Sequence, residues 1–165
     1  MSFDVLISGG GIAGPSLAFW LTRHCHTVTI IEQARELRTG GQAVDFRGPA
    51  LTVLDKMGLL EQVRAEATSM RPLALVDSRG REVGRLPAEV VSGEVEIHWG
   101  TLTRILYEAV RNDVNYRFGQ RITAVDDDGQ RVAVTFSDGT TGSYDLVVGA
   151  DGLHSGLRRL VFGPE

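Results

Sequence analysis

Val5-Leu6-Ile7-Ser8-Gly9-Gly10-Gly11-Ile12-Ala13-Gly14 is the stretch on which the reading of this chain turns. A short apolar run predicts a buried strand from Asp4 to Ser8. It breaks into glycines, and an apolar-periodic helix follows from Ile12 to about Arg23. The glycines fall as Gly9-x-Gly11-x-x-Gly14, and in a strand-turn-helix context each has its own task. Gly9 permits the tight turn. Gly11 has no Cβ, so a pyrophosphate can approach the backbone. Gly14 lets the helix lie close to the sheet. The helix start at Ile12 and Ala13 offers amide N–H groups and the positive end of the helix dipole to phosphate oxygens. A second strand, Thr27 to Ile31, comes at βαβ spacing and ends in Glu32, where a carboxylate can accept hydrogen bonds from a ribose diol. Together these features point to a dinucleotide site.

The chain has 165 residues, 42% hydrophobic and 23% charged, which fits one globular α/β domain able to bury a core. The net charge of −4 gives no support to nucleic-acid binding. Cys25 is the only cysteine, so no intramolecular disulfide can form. No apolar run approaches membrane-spanning length, and Asp4 directly precedes strand-forming residues, so neither a membrane span nor a signal peptide is expected. The default location is the cytoplasm. His24-Cys25-His26 has metal-ligating side chains, but adjacent residues in one turn cannot easily converge on an ion, and no metal site is expected.

Along the first helix Leu17, Trp20, Leu21 and His24 form one stripe, with Trp20 expected in the core. Its stop falls at Cys25, where glycine is the usual and less costly residue. Gly40 to Arg47 reads as an extended excursion with Val44 and Phe46 on one face and Asp45 and Arg47 on the other. Pro49 opens a helix that Gly58 closes, and Leu59 to Ala67 is a further short helix. Pro72 to Val76 and Glu82 to Leu86 form a hairpin about Asp77-Ser78-Arg79-Gly80. This hairpin breaks the βαβ series and suggests that residues 72–98 begin a second subdomain. Glu94 to His98 is extended, and a helix over Thr101 to Arg111 buries Leu102, Ile105, Leu106, Ala109 and Val110. Val114 to Phe118 is expected as the third parallel strand. A meander follows over Ile122 to Val125, Val132 to Phe136 and Thr141 to Tyr144, turned at Asp128-Gly129 and Asp138-Gly139. Leu146 to Gly152 reads as a buried strand that delivers Asp151 and Gly152 at its end, and Ser155 to Phe162 as a last helix.

In this order the motifs resemble the flavin-dependent aromatic hydroxylases, the class A flavoprotein monooxygenases. The resemblance runs from the first strand to the last residue and covers the N-terminal half of that family's fold. It rests on Gly9, Gly11, Gly14 and Glu32, on Gln42 to Leu51 with Asp45 and Arg47 at cofactor-facing positions, on the meander, and on Gly149-Ala150-Asp151-Gly152 with His154-Ser155 after it. It implies a Rossmann-like FAD-binding fold with a parallel sheet, a β-meander and the start of a substrate-domain sheet. It further implies FAD bound across the carboxyl ends of the parallel strands, with NAD(P)H as co-substrate and a small aromatic or polyketide-like substrate. On that likeness Glu32 holds the adenosine ribose with Gln33 beside it, and the backbone near Ile122 meets the adenine. Arg47 lies along the pyrophosphate and ribityl region, and Asp151 and Gly152 near the pyrophosphate. The family's arginine in its Arg-x-x-Leu pattern is Trp99 here, four positions into which Leu102 still matches. A second Gly-Asp motif and most of the substrate-binding sheet have no counterpart in this sequence, so the chain alone is expected to bind the ADP part of FAD weakly and to turn over nothing. No catalytic residue is nominated. Rival readings are a non-catalytic nucleotide-binding module, one subunit of a split flavoprotein that self-associates or pairs with a complementing C-terminal half, and an NAD-dependent dehydrogenase. The meander and the Asp-Gly motif speak against the last.

Overall fold

The computed structural model describes residues 1–68, 72–91 and 93–164, and they form two compact units. One comprises residues 1–38 and 106–165, the other residues 39–105.

The first unit is built on four parallel strands: β1 (Asp4–Ser8), β2 (Thr27–Glu32), β7 (Asn115–Phe118) and β11 (Leu146–Gly149). Their order is β11-β1-β2-β7, so the chain steps one way from β1 to β2 and β7, and the other way to β11. The order therefore reverses beside β1, and the carboxyl ends of β1 and β11 form the topological switch point where ligands of open α/β sheets bind.

Alternation along β1 distributes the core. Val5 and Ile7 face one way with Ala18, Val28 and Ile30, while Leu6 faces the other with Ile31, Val134, Phe136 and Leu157. Helix α1 (Ala13–Arg23) covers the first face. The meander of β8 (Ile122–Asp127), β9 (Val132–Phe136) and β10 (Thr141–Tyr144), with α6 (Gly156–Phe162), covers the second. Gly129 and Gly139, at φ +81° each, take the left-handed position of the two meander reversals.

Two expectations are corrected here. The buried face of α1 is Gly14, Pro15, Ala18 and Phe19, while Trp20 is half-buried with its ring edge-on to Phe19 and His24 is exposed. The helix meets the sheet through Gly14 and Ala18, with Phe19 buried beside them, and Leu17, Leu21 and Trp20 lie at the margin of that contact, partly buried. The run at Leu146 is not a buried strand. β11 ends at Gly149 and lies at the sheet edge, with Leu146 48% exposed. An apolar run cannot tell an edge from a centre position, since neighbours set that.

The end of α1 confirms the cost at Cys25. The His26 amide donates to the Leu21 carbonyl at 3.1 Å and the Cys25 amide to the Thr22 carbonyl at 3.1 Å, the paired bonds of a Schellman motif. Cys25 occupies its left-handed position at φ +62°, the one non-glycine residue with positive φ among those described. Cys25→Gly is expected to stabilise the chain by about 1 kcal/mol, read as a higher urea midpoint with an unchanged slope.

The second unit holds two antiparallel pairs. β3 (Ala43–Phe46) pairs with β6 (Val95–His98), and β4 (Leu73–Val76) with β5 (Glu82–Leu86). Helices α2 (Pro49–Lys56), α3 (Leu60–Ala65) and the short α4 (Ala88–Val91) complete it, together with the first turns of α5 (Trp99–Val110). Pro49 stands at the start of α2 and Gly58, at φ +72°, just past its end. Leu51, Leu54, Val63, Ile97 and Leu102 are buried. The hairpin turn forms as expected: Asp77 Oδ1 accepts from the Arg79 and Arg81 amides, bonds that hold its carboxyl below the usual range, and Gly80 takes φ +75°.

Candidate functional site

The glycine turn leaves β1 at the switch point. Gly9 sits at φ +116°, its amide donating to the Ile31 carbonyl at 2.8 Å. A Cβ on Gly9 would stand 2.3 Å from the Ala150 carbonyl oxygen, so the turn after β1 and the turn after β11 touch through bare backbone. A Cβ on Gly14 would stand 2.0 Å from the Gly9 carbonyl oxygen, which brings the first turn of α1 directly onto the loop. Ile12, at the helix N-cap, offers no side-chain cap to the first turn. Its amides are placed to meet an anion, while Pro15 fills a first-turn position where its missing N–H costs nothing.

Glu32 points to the mouth of this turn. Its Oε2 accepts from the Gly10 amide at 2.9 Å and its Oε1 from the Ala34 amide at 2.8 Å. Each carboxylate oxygen has a further lone pair, so the group is fixed in place and can still accept hydrogen bonds from hydroxyls. Beyond it the Gln120 amide donates to the Glu32 carbonyl at 3.0 Å and the Gly119 amide to the Ala34 carbonyl at 2.9 Å. These bonds shape a groove of about 380 Å³ lined by Gln33, Ala34, Arg38, Gly119, Gln120 and Arg121. Gln33 is exposed within it. Ile122, the next residue, turns its side chain into the core and leaves its backbone at the start of β8.

Asp151 follows β11. Its Oδ1 accepts from the Ser155 hydroxyl at 2.9 Å and its Oδ2 from the Leu157 amide at 3.1 Å, while Ser155 Oγ caps α6 by accepting from the Arg158 amide at 2.9 Å. Asp151 thus ties the turn after β11 to the start of α6, with Gly152 beside it at φ +79°. Asp151→Ala should cost about 1 kcal/mol of stability through loss of this tether, seen as a lower melting temperature.

Of the residues expected at the site, Gly9, Gly11, Ile12, Ala13, Gly14, Glu32, Gln33, Ile122, Asp151 and Gly152 lie in the first unit, around the carboxyl ends of its strands. Asp45 and Arg47 belong to the second unit, 3.8 Å apart, with the Arg47 side chain 62% exposed. In the same unit Trp99 donates its amide to the Gln42 carbonyl at 2.9 Å and accepts from the Thr103 hydroxyl at 2.9 Å. A Cβ on Gly41 would stand 3.0 Å from that of Trp99.

Two residues escape the motif reading. The Tyr116 hydroxyl donates to the buried Gly10 carbonyl at 2.8 Å. A Cβ on Gly10 would stand 2.1 Å from that hydroxyl, which explains a glycine at a position the fingerprint leaves open. Burial, reinforced by the Glu32 carboxylate and Tyr107, pushes the Tyr116 phenol well above its ordinary range and keeps it a donor. Three consecutive glycines were the available signal.

This cradle, an open backbone turn with a carboxylate at its rim, fits a nucleoside diphosphate. No group of His, Cys, Asp and Glu arranged for a metal occurs among the described residues, and no described helix is long and apolar enough to cross a membrane. A family model described as an FAD binding domain matches residues 2–162. An uncharacterized protein of Mycobacterium tuberculosis is 44% identical over 167 residues, spanning 98% of this chain and 45% of that protein. The FAD-dependent monooxygenase asL4 of Sarocladium schorii is 38% identical over 168 residues, spanning 97% of this chain and 39% of that protein. The crystal structure of tetracycline destructase Tet(51) superposes with a TM-score of 0.85 at 36% identity, over 98% of this chain and 42% of that one. The chain spans less than half the length of the curated relatives it matches.

Proposed function

Since this chain belongs to the FAD binding domain family, we propose that it is the nucleotide-holding part of a flavin-dependent monooxygenase. The observation that carries the reading is the bare cradle at the switch point, where Gly9 and Gly14 leave no room for a Cβ and Glu32 faces the turn. The amides of Gly11, Ile12, Ala13 and Gly14 receive the diphosphate, and Glu32 accepts hydrogen bonds from the hydroxyls of the adenosine ribose. Gln33 and the backbone at Ile122 flank the adenine, in the groove beside them. Asp151 and Gly152 shape the pyrophosphate side. Arg47, with Asp45, supplies a rigid donor fork for the pyrophosphate and ribityl region. Residues 1–165 constitute the FAD-binding domain, and residues 72–98 open the substrate subdomain.

When bound, FAD supplies the redox chemistry, in which electrons from NAD(P)H and an oxygen atom from O₂ serve to hydroxylate a small aromatic or polyketide-like ring. The chain's own residues bind and orient; none holds or moves a proton at a reacting atom. The substrate class follows the family likeness alone. The remaining half of the fold, as a covalent continuation or a complementing partner, supplies the ribityl contact and the substrate wall. A cytoplasmic protein that engages neither nucleic acid nor membrane fits the charge and the absence of apolar spans in the sequence.

Titration with FAD tests this reading. The chain should bind flavin weakly but saturably and consume no NADH or NADPH by itself. Absence of saturable binding contradicts the binding claim, and steady NAD(P)H consumption contradicts the inactivity claim.

A further inference from the structure

Gly9, Gly10 and Gly11 are conformationally free, so nothing within the loop selects one orientation of its peptides. Two side chains from other elements do. Glu32 Oε2 accepts from the Gly10 amide and so fixes the peptide between Gly9 and Gly10. The Tyr116 hydroxyl donates to the Gly10 carbonyl and so fixes the next peptide, whose N–H belongs to Gly11. A trans peptide is planar with its C=O and N–H antiparallel. Holding the Gly10 oxygen therefore aims the Gly11 N–H in the opposite direction.

The tyrosine is itself held. Its ring stacks on Phe118 at 4.7 Å between centroids and meets Tyr107 edge-on at 5.0 Å. The hydroxyl thus reaches Gly10 from a rigid aromatic group on β7 and α5. It also occupies the space a Gly10 Cβ would need. The same contact that demands the most flexible residue removes that residue's flexibility.

We propose that Tyr116 is a positioning residue for the diphosphate site, presetting the Gly10–Gly11 peptide so that the Gly11 amide faces the phosphates before any ligand arrives. This rests on the nucleotide reading above. Without the hydroxyl the buried Gly10 carbonyl seeks another partner, the peptide rotates, and binding must first restore its orientation.

The test compares the 165-residue chain with Tyr116→Phe and with Val132→Ala, a truncation in the meander away from the loop. Affinities for FAD and for ADP are measured by fluorescence titration and competition, well below the melting temperature of each variant. Tyr116→Phe should weaken both ligands by about five- to tenfold, the size of one neutral hydrogen bond. Val132→Ala should leave both within about twofold of the parent, since a stability loss alone does not move affinity in a folded protein. Equal affinity of Tyr116→Phe and parent overturns the role of Tyr116 while leaving the nucleotide reading intact. Failure of the parent itself to bind either ligand overturns both. Should Tyr116→Phe not fold, 15N relaxation of the unliganded parent reads the loop directly: the Gly11 amide should be as ordered as the Ile7 amide of β1. A Gly11 amide that is disordered without ligand overturns the proposal.

Discussion

Gly9→Ala should abolish FAD binding and destabilise the chain by about 3 kcal/mol or more. Two costs coincide at this position. The backbone sits at φ +116°, where an L side chain is strained, and the added methyl would lie 2.3 Å from the Ala150 carbonyl oxygen. The obstructing atom is main chain, fixed by the Ala150 amide donating to the Ser8 carbonyl at 2.7 Å, so no rotamer change relieves it. β1 and β11 must separate at their carboxyl ends, and that separation opens the switch point itself. Urea denaturation gives the stability loss and an FAD titration the binding loss. A variant with the parent's midpoint and affinity would show that the turn is not where it is described. Gly58→Ala, at φ +72° with open space around it, separates the two costs, because it carries the strain without the collision and should leave FAD affinity unchanged.

Glu32→Ala is expected to lower FAD affinity by about 100-fold, on the order of 3 kcal/mol, with a smaller effect on stability. The carboxylate accepts from two backbone amides in the protein alone, and on the proposed reading it would accept from the ribose hydroxyls as well when ligand is bound. Bonds to a charged acceptor contribute about 1.5–3 kcal/mol each, and the ribose pair is made only with ligand present. Glu32→Gln keeps one acceptor oxygen and should fall between parent and alanine. The measurement is a titration of each variant with FAD and with ADP. Equal losses for both ligands place the effect on the adenosine side they share. A loss for FAD alone would place Glu32 elsewhere in the site.

Much of this was legible because the informative contacts are local. The spacing of Gly9, Gly11 and Gly14 after an apolar strand, and Glu32 at the tip of the next, encode backbone demands within one βαβ unit. The meander was legible from Asp-Gly turns, and Pro49 and Gly58 marked the ends of α2. What escaped depends on distant neighbours. Tyr116 lies 106 residues from Gly10, and nothing in the run around it announces a hydroxyl aimed at a carbonyl. The edge position of β11 follows from strand order rather than from Leu146-Val147-Val148. The buried face of α1 departs from the apolar stripe because the close approach at Gly14 sets which side of the helix meets the sheet. Asp151 was expected near the pyrophosphate, and its two bonds to the start of α6 show the structural work it also performs.

The central claim is that the glycine turn and Glu32 together form a dinucleotide site at the junction of β1 and β11. Titrating FAD into this chain with ADP as competitor measures it most directly. The account predicts saturable binding at one site per chain, full displacement by ADP, and a marked loss of both in Glu32→Ala. Absence of saturable binding, or flavin that ADP cannot displace, would contradict it.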